Sequence, residues 1–246
     1  MGSALASDVL SYSGYILEVG LLVYLLLRGR GKHLWEIVFY LALSLGVAGA
    51  RFYTLHQYGL SSSQYGNCYW TTDLLLVLAA FVLVVSFFRR ACSGKPGMWE
   101  NVRMLLGGVL VSIAAISYFS LANHSDKLFS SFTVEFSQNL YFACLVLTTL
   151  LYLMTLKMEI ADERLGMLVC GLGIEFAGPA AGLALVFLSR QPELMRVVGV
   201  YFFPLCDIGM ILTWFYAITR VPGKASVLRG SGEGIRTFAE RTFSHS

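Results

Sequence analysis

Seven long apolar stretches divide most of this 246-residue chain, and they limit the folds open to it. They cover residues 9–27, 34–53, 69–88, 102–121, 133–156, 165–188 and 197–219. A run of about 18 or more apolar residues is long enough for a helix to cross a bilayer. Only 13% of the residues are charged, whereas soluble domains are near one quarter charged. We therefore predict an all-α membrane protein, a seven-transmembrane-helix bundle over residues 1–219 followed by a tail, 220–246.

Lys and Arg residues are distributed unevenly between the two ends of the predicted helices. Of the 18, 14 fall in the 28–33, 89–103 and 157–164 connections and the tail, and 4 fall on the other side. Because cytoplasmic connections carry the excess of basic residues, we predict an outside N-terminus and a cytoplasmic C-terminus in an inner membrane. The net charge of +3 then reports topology, and we expect no nucleic-acid partner.

Two segments outside the stretches carry expectations of their own. Residues 54–68, TLHQYGLSSSQYGNC, are rich in Ser, Gly and Tyr, so they predict the longest outer loop. The tail is expected to be a cytoplasmic segment too short to contain an output domain.

Three carboxyl groups fall near the predicted midplane. Glu18 lies ten residues before Arg28, while Glu175 and Asp207 each lie ten residues past the start of the sixth and seventh stretches. At about 1.5 Å per residue, each is about 15 Å from a membrane face. If the seventh helix packs between the sixth and the first, the three are neighbours. Ionisable residues within spans are costly and indicate function.

Three like charges in a low-dielectric interior cannot all stay ionised, so we expect at least one of these carboxyls to hold a proton. Such a site suits proton relay, cation binding or recognition of a basic ligand. The alternative is structural, with each carboxyl protonated and hydrogen-bonded to a neighbouring tyrosine, serine or backbone carbonyl. The sequence favours neither.

A second polar group is predicted near the outer ends of the helices. Asp73 and Glu135 fall in the first turns of the third and fifth stretches, where acids cap free N–H groups, so capping is the favoured interpretation. Alternatively, they form an outer polar vestibule with Arg51, which closes the second stretch. Snorkelling of Arg51 to the interface is the other reading of that residue.

The sixth stretch contains GLGIEFAGPAAG, residues 171–182. Gly173, Ala177 and Ala181, like Gly178 and Gly182, follow the small-xxx-small spacing that lets helices approach closely. Pro179 in this helix and Pro204 in the next predict kinks that free backbone carbonyls near the carboxyls.

Several functional classes lack their required residues. The seventh stretch contains no lysine for a retinal Schiff base, so we expect no cofactor. No CxxC pair or His/Cys cluster indicates a metal site. No HExxH, GxSxG, P-loop or SxxK pattern occurs, so an enzyme is not expected, although an intramembrane enzyme stays open.

Residues 68–90, CYWTTDLLLVLAAFVLVVSFFRR, form an aromatic-led third helix ending in paired arginines. This segment resembles a group of uncharacterised bacterial seven-helix membrane proteins, and the layout of residues 9–219 is similar to the seven-helix sensor regions of histidine kinases. The resemblance implies a sensory role. Kinase-linked sensors carry an output domain, which this chain is expected to lack.

The leading interpretation is a receptor-like or sensory protein in the lipid bilayer, with Glu18, Glu175 and Asp207 lining its site. It requires a signalling partner, cytoplasmic or membrane-bound. A proton- or cation-coupled transporter or channel is the first alternative, but residues 74–85 of the third helix offer no polar side chain to a path. A structural subunit of a membrane complex is the second. The oligomeric state stays open.

Overall fold

The computed structural model describes residues 2–29, 34–94, 96–121, 128–157, 162–189 and 197–221. All regular structure within these ranges is helical. The long helices are α1 (Gly2–Leu27), α2 (Trp35–Tyr58), α3 (Ser63–Ala91), α4 (Pro96–Leu121), α5 (Leu128–Lys157), α6 (Glu163–Ser189) and α7 (Phe203–Thr219). A 3₁₀ turn (Cys92–Gly94) follows α3, and a π-helical turn (Val198–Phe202) precedes α7.

The all-helical prediction is confirmed: each of the first six apolar stretches falls on one long helix, and the seventh covers the π-helical turn and α7. Four segments are long and apolar enough to cross a membrane: Trp35–Tyr58, Ser63–Ala91, Gly97–Phe119 and Phe132–Lys157. These are the helices of a membrane-embedded protein. Of the predicted tail, residues 222–246 lie outside the described residues.

Six helices form a ring, in which α7 packs between α6 and α1. Helix α2 follows α1, α3 follows α2, and α5 lies between α3 and α6, while α4 packs outside the ring, mainly on α5. The described buried residues of α4 are Leu106, Ile113 and Ser117, which form one narrow stripe. A single stripe allows a helix to cover its neighbours without entering the core.

Helices α6 and α7 approach each other most closely, and glycines allow this. A β-carbon at Gly171 would lie 2.7 Å from the Trp214 ring, and Gly178 meets Cys206 in the same way. Seven residues make almost two helical turns, so both glycines lie on one face.

The predicted small-xxx-small sets describe this face only in part. Gly173 faces Thr148 of α5 instead, with ordinary spacing of 3.7 Å, and Ala177 and Ala181 are exposed. Gly182 has no described side-chain environment. The close contact therefore uses a seven-residue spacing from Gly171 to Gly178.

The prediction of a long loop over residues 54–68 is wrong. Helix α2 continues to Tyr58 and α3 begins at Ser63. Gly59 turns the chain with φ of 75°, and the Ser62 hydroxyl accepts a hydrogen bond from the Tyr65 N–H at 3.1 Å. A glycine in the left-handed region and a serine N-cap are enough for a tight connection, so the polar residues continue the helices.

Charged pairs join α2 to α3 at both ends. Arg51 of α2 pairs with Asp73 of α3 at one end, and Glu36 of α2 pairs with Arg90 of α3 at the other. The Ser86 hydroxyl also donates to Glu36 at 2.8 Å. The sequence pattern does not mark Glu36, and it indicates Arg90 only as part of a basic connection.

Candidate functional site

Glu18 is buried in α1, with 3% of its surface exposed. Gly14 lies one turn earlier on the same face, and a β-carbon there would lie 3.2 Å from Asp207 Oδ2. The glycine therefore lets the α1 backbone come directly against the Asp207 carboxyl of α7. Glu18 interacts electrostatically with Asp207.

Glu175 lies on α6 between Gly171 and Gly178, on the face that meets α7. Its Oε2 atom is buried and has no hydrogen-bond partner among the described residues. The carboxyl interacts electrostatically with Asp207 and Glu18. The structure thus brings the three predicted residues together, and we call Glu18, Glu175 and Asp207 the carboxyl cluster.

Helix α2 adds two polar residues that the sequence analysis missed. Tyr40 is buried and interacts electrostatically with all three carboxyls, while the Ser44 hydroxyl lies within hydrogen-bonding reach of Glu18. Tyr40 and Ser44 are one turn apart, on the same side of α2 as the buried Ile37 and Leu41. That helical periodicity was the available signal.

Arg51 is held in place by four groups of α3. Its Nε donates to Thr72 Oγ1 at 2.9 Å and its Nη2 to the Tyr69 carbonyl at 3.3 Å. Nη2 also lies 3.5 Å from Asp73 Oδ1, and the guanidinium carbon lies 4.2 Å from the Tyr69 ring centroid. Arg51 is therefore fixed over α3, which is not the snorkelling arrangement, and Asp73 is its counter-ion.

The capping interpretation of Asp73 and Glu135 is wrong because both helices begin earlier than predicted. Asp73 lies ten residues after the start of α3 at Ser63, and Glu135 seven residues after the start of α5 at Leu128. Neither is in a first turn. Within the described part of the chain, Glu135 is neither bonded nor paired with Arg51 or Asp73, so it does not join this pair.

Two tyrosines lie between the Arg51–Asp73 pair and the carboxyl cluster. The Tyr141 hydroxyl of α5 donates a long hydrogen bond, 3.5 Å, to Asp73 Oδ1, and it interacts electrostatically with Glu175. Tyr15 of α1 interacts with Arg51 on one side and with Glu18 and Asp207 on the other. Polar side chains are therefore spread over the distance from the Arg51–Asp73 pair to the carboxyl cluster.

The opposite half of the core is apolar. Each ring helix contributes two side chains with less than 5% of their surface exposed: Leu21, Leu25, Ile37, Leu41, Val84, Phe87, Leu147, Leu151, Leu168, Leu172, Ile211 and Trp214. Trp214 differs from the other eleven in having a polar group, and its Nε1–H donates to the Leu168 carbonyl at 2.9 Å. The buried Thr148 hydroxyl has no described partner, but it borders a groove between α5 and α6.

The two prolines lie close to the carboxyls in sequence. Helix α6 continues through position 179, and a proline there supplies no N–H to the Glu175 carbonyl four residues earlier. Pro204 lies in the first turn of α7 directly after the π-helical turn. Turns of this kind are frequent at functional sites. The predicted kinks stay predictions.

Two open grooves lie elsewhere. One of about 630 Å³ lies between α4 and α5, and one of about 320 Å³ lies between α5 and α6. Neither is lined by the carboxyl cluster. Among the described residues, no group of three His, Cys, Asp or Glu side chains is arranged to hold a metal ion.

Comparison with protein-family models, with curated proteins and with solved structures gives no match.

Proposed function

We propose that this protein is a receptor-like membrane sensor whose input site is the carboxyl cluster. One-sided access carries the proposal. From Arg51 to Ser44, beside Glu18, is seven residues or about 10 Å of helix, and polar groups cover that distance. On the other side, the nine residues from Glu18 to Leu27 span about 14 Å, lined by apolar core. A site that polar side chains connect to one side and that apolar core separates from the other can receive a signal without passing material through.

The same asymmetry disfavours a transporter or channel. Transport needs access to the site from both sides, and twelve tightly buried apolar side chains close one of them. A partner would read the changed state of the helices at the basic end of the bundle.

The packing restricts the input to a small species. Gly171 and Gly178 leave no space for an added methyl group between α6 and α7, and Gly14 brings α1 directly onto Asp207. A drug-sized ligand needs a pocket of about 300 Å³ or more. The cluster is therefore suited to a proton or a small cation.

The proposed topology has all seven helices crossing a bacterial inner membrane, with the N-terminus outside. The distribution of Lys and Arg supports this orientation. Alkaline phosphatase fused after residue 59 should be active and the same enzyme fused after residue 221 should be inactive. The reverse pattern would place the polar side of the site, at Arg51 and Asp73, in the cytoplasm.

The test of function replaces Glu18, Glu175 and Asp207 with amides, singly and together, in detergent-purified protein. Tryptophan fluorescence and carboxyl infrared bands are followed from pH 4 to pH 9, and Glu100→Gln, an exposed carboxyl on α4, is the control. We expect the spectral response to be lost in the triple variant and kept in the control. An unchanged response and an unchanged thermal midpoint in the triple variant would rule out the input site.

Flux measured in liposomes separates a sensor from a transporter. We expect no cation or proton flux in either direction at any pH within this range. Carboxyl-dependent flux would instead favour the transporter. If this protein shows no spectral response and another membrane protein co-purifies with it in a fixed ratio, the result would favour a structural subunit of a membrane complex.

A further inference from the structure

We propose that the input species is the proton and that it reaches Glu175 through Asp73 and Tyr141, with Arg51 excluding other cations from this route. The inference rests on the proposed sensory function, because it names the signal that the carboxyl cluster receives.

Tyr141 is placed to connect the two polar groups. Its hydroxyl is bonded to Asp73 on α3, and its ring packs edge-on against Phe176 of α6, with centroids 6.3 Å apart. Phe176 is the neighbour of Glu175, and helix α5 packs on both α3 and α6. A tyrosine hydroxyl donates and accepts hydrogen bonds at once, as a proton relay requires.

The transfer balances without any further reactant. A proton from solvent binds the Asp73 carboxylate, and the Asp73 O–H then donates to the Tyr141 oxygen. The Tyr141 O–H, freed from Asp73, turns toward Glu175, whose Oε2 it does not bond in the structure, and passes its own proton to that carboxylate while it retains the one from Asp73. Asp73 returns to its ionised form, and the net change is one proton bound to Glu175.

Arg51 makes the route selective. Its guanidinium is always charged and is fixed beside Asp73 by Thr72 and Tyr69. A fixed positive charge at the entrance repels sodium, potassium and ammonium ions, as basic residues do in selective pores. A proton handed from Asp73 to Tyr141 across their hydrogen bond does not need to pass the guanidinium as an ion.

Glu175 is the receiving group because its buried Oε2 has no described partner. Each ring helix other than α6 has a titratable group that faces the carboxyl cluster, either directly or, for Asp73 of α3, through Tyr141. These groups are Glu18 on α1, Tyr40 on α2, Asp73 on α3, Tyr141 on α5, and Cys206 and Asp207 on α7. Asp207 and Glu18 are the acids that interact electrostatically with Glu175. Their negative charges disfavour a third charge on Glu175, so a proton bound there relieves the repulsion.

Tyr141→Phe tests the route, since it removes the hydroxyl and keeps the ring against Phe176. After a pH jump, we expect its tryptophan fluorescence response to be about a hundredfold or more slower than in the unaltered protein, the scale of a lost proton-transfer group. The final amplitude should be unchanged, because the cluster itself is intact. Tyr152→Phe, an exposed tyrosine on the same helix, should respond at the original rate.

Two further variants keep the test decisive. Asp73→Asn interrupts the same route and should also slow the response. This variant replaces Tyr141→Phe as the test if Tyr141→Phe does not fold. Arg51→Gln should make the response sensitive to sodium and potassium at fixed pH, whereas the unaltered protein should respond equally in sodium, potassium and choline buffers.

The outcomes separate this inference from the proposed function. If Glu175→Gln abolishes the response but Tyr141→Phe and Asp73→Asn respond at the original rate, the site is real and the route is wrong. Slowing by Tyr15→Phe alone would place the route on α1. A response to sodium at constant pH in the unaltered protein would overturn the proton as input. If Glu175→Gln itself has no effect, the sensory function fails.

Discussion

Gly178 of α6 lies against Cys206 of α7 so closely that a β-carbon at position 178 would lie 2.5 Å from the Cys206 sulfur. The Cys206 β-carbon would be only 2.7 Å away, so rotation of the thiol does not relieve the overlap. Glu175 and Asp207 are each next to this contact in their helices. The separation of α6 and α7 therefore fixes the geometry of the carboxyl cluster.

Gly178→Ala should lower the free energy of unfolding by about 1–3 kcal/mol, the usual effect of an added methyl group in a packed interior. Gly166→Ala, on the same helix with open space around it, should be neutral or slightly stabilising, because alanine favours helix. Thermal unfolding in detergent gives both values. Equal effects of the two substitutions would mean that α6 and α7 do not pack this closely.

Trp214→Phe should destabilise the protein by about 1–3 kcal/mol, because it removes a buried hydrogen bond and some of the side-chain volume that packs on Gly171. The same substitution removes a tryptophan whose indole is in a dry, hydrogen-bonded site. The fluorescence lost from the spectrum should be blue-shifted relative to that of Trp35, which is exposed. A red-shifted difference spectrum would contradict the burial of Trp214.

The Glu36–Arg90 pair should couple α2 to α3 energetically. The Arg90 side chain is 31% exposed and that of Glu36 is 13% exposed, so the expected coupling is about 1 kcal/mol, between values for exposed and buried pairs. A double-mutant cycle of Glu36→Gln and Arg90→Gln measures it. Additive effects of the two substitutions would show that the pair contributes nothing.

Cys92 follows α3 outside the apolar segment, and burial raises the pKa of its thiol. Because the thiolate is the reactive form, iodoacetamide should label folded Cys92 more slowly at neutral pH than the same thiol in the unfolded chain. Labelling should accelerate as the pH rises toward the raised pKa. The measurement uses a variant in which the other four cysteines are replaced by alanine. Equal rates in the folded and unfolded chains would exclude a buried thiol.

The sequence predicted the helices, and it placed Glu18, Glu175 and Asp207 near the middle of three apolar stretches, because both depend on position along one helix. It failed where contacts depend on rotation about a helix axis. Because apolar residues cover much of each membrane helix, the sequence does not show which face of the helix contacts a neighbour. For this reason the positions of Tyr40 and Tyr141 beside the carboxyl cluster were not predicted. It also failed at residues 54–68, where polar composition predicted a loop. These polar residues continue α2 and begin α3, and a glycine turn with a serine N-cap is enough to connect the two helices.

By itself the sequence determined that the chain is helical and apolar, and it placed three carboxyls near the middle of three apolar stretches. The tertiary structure decided which groups meet there. At Gly14, Gly171 and Gly178 the helices approach more closely than larger side chains would allow. Helix α5 packs on α3 more extensively than α4 does, and this places Tyr141 beside Asp73. These relations arise from packing between helices distant in the chain, where the shape of each surface selects its neighbour.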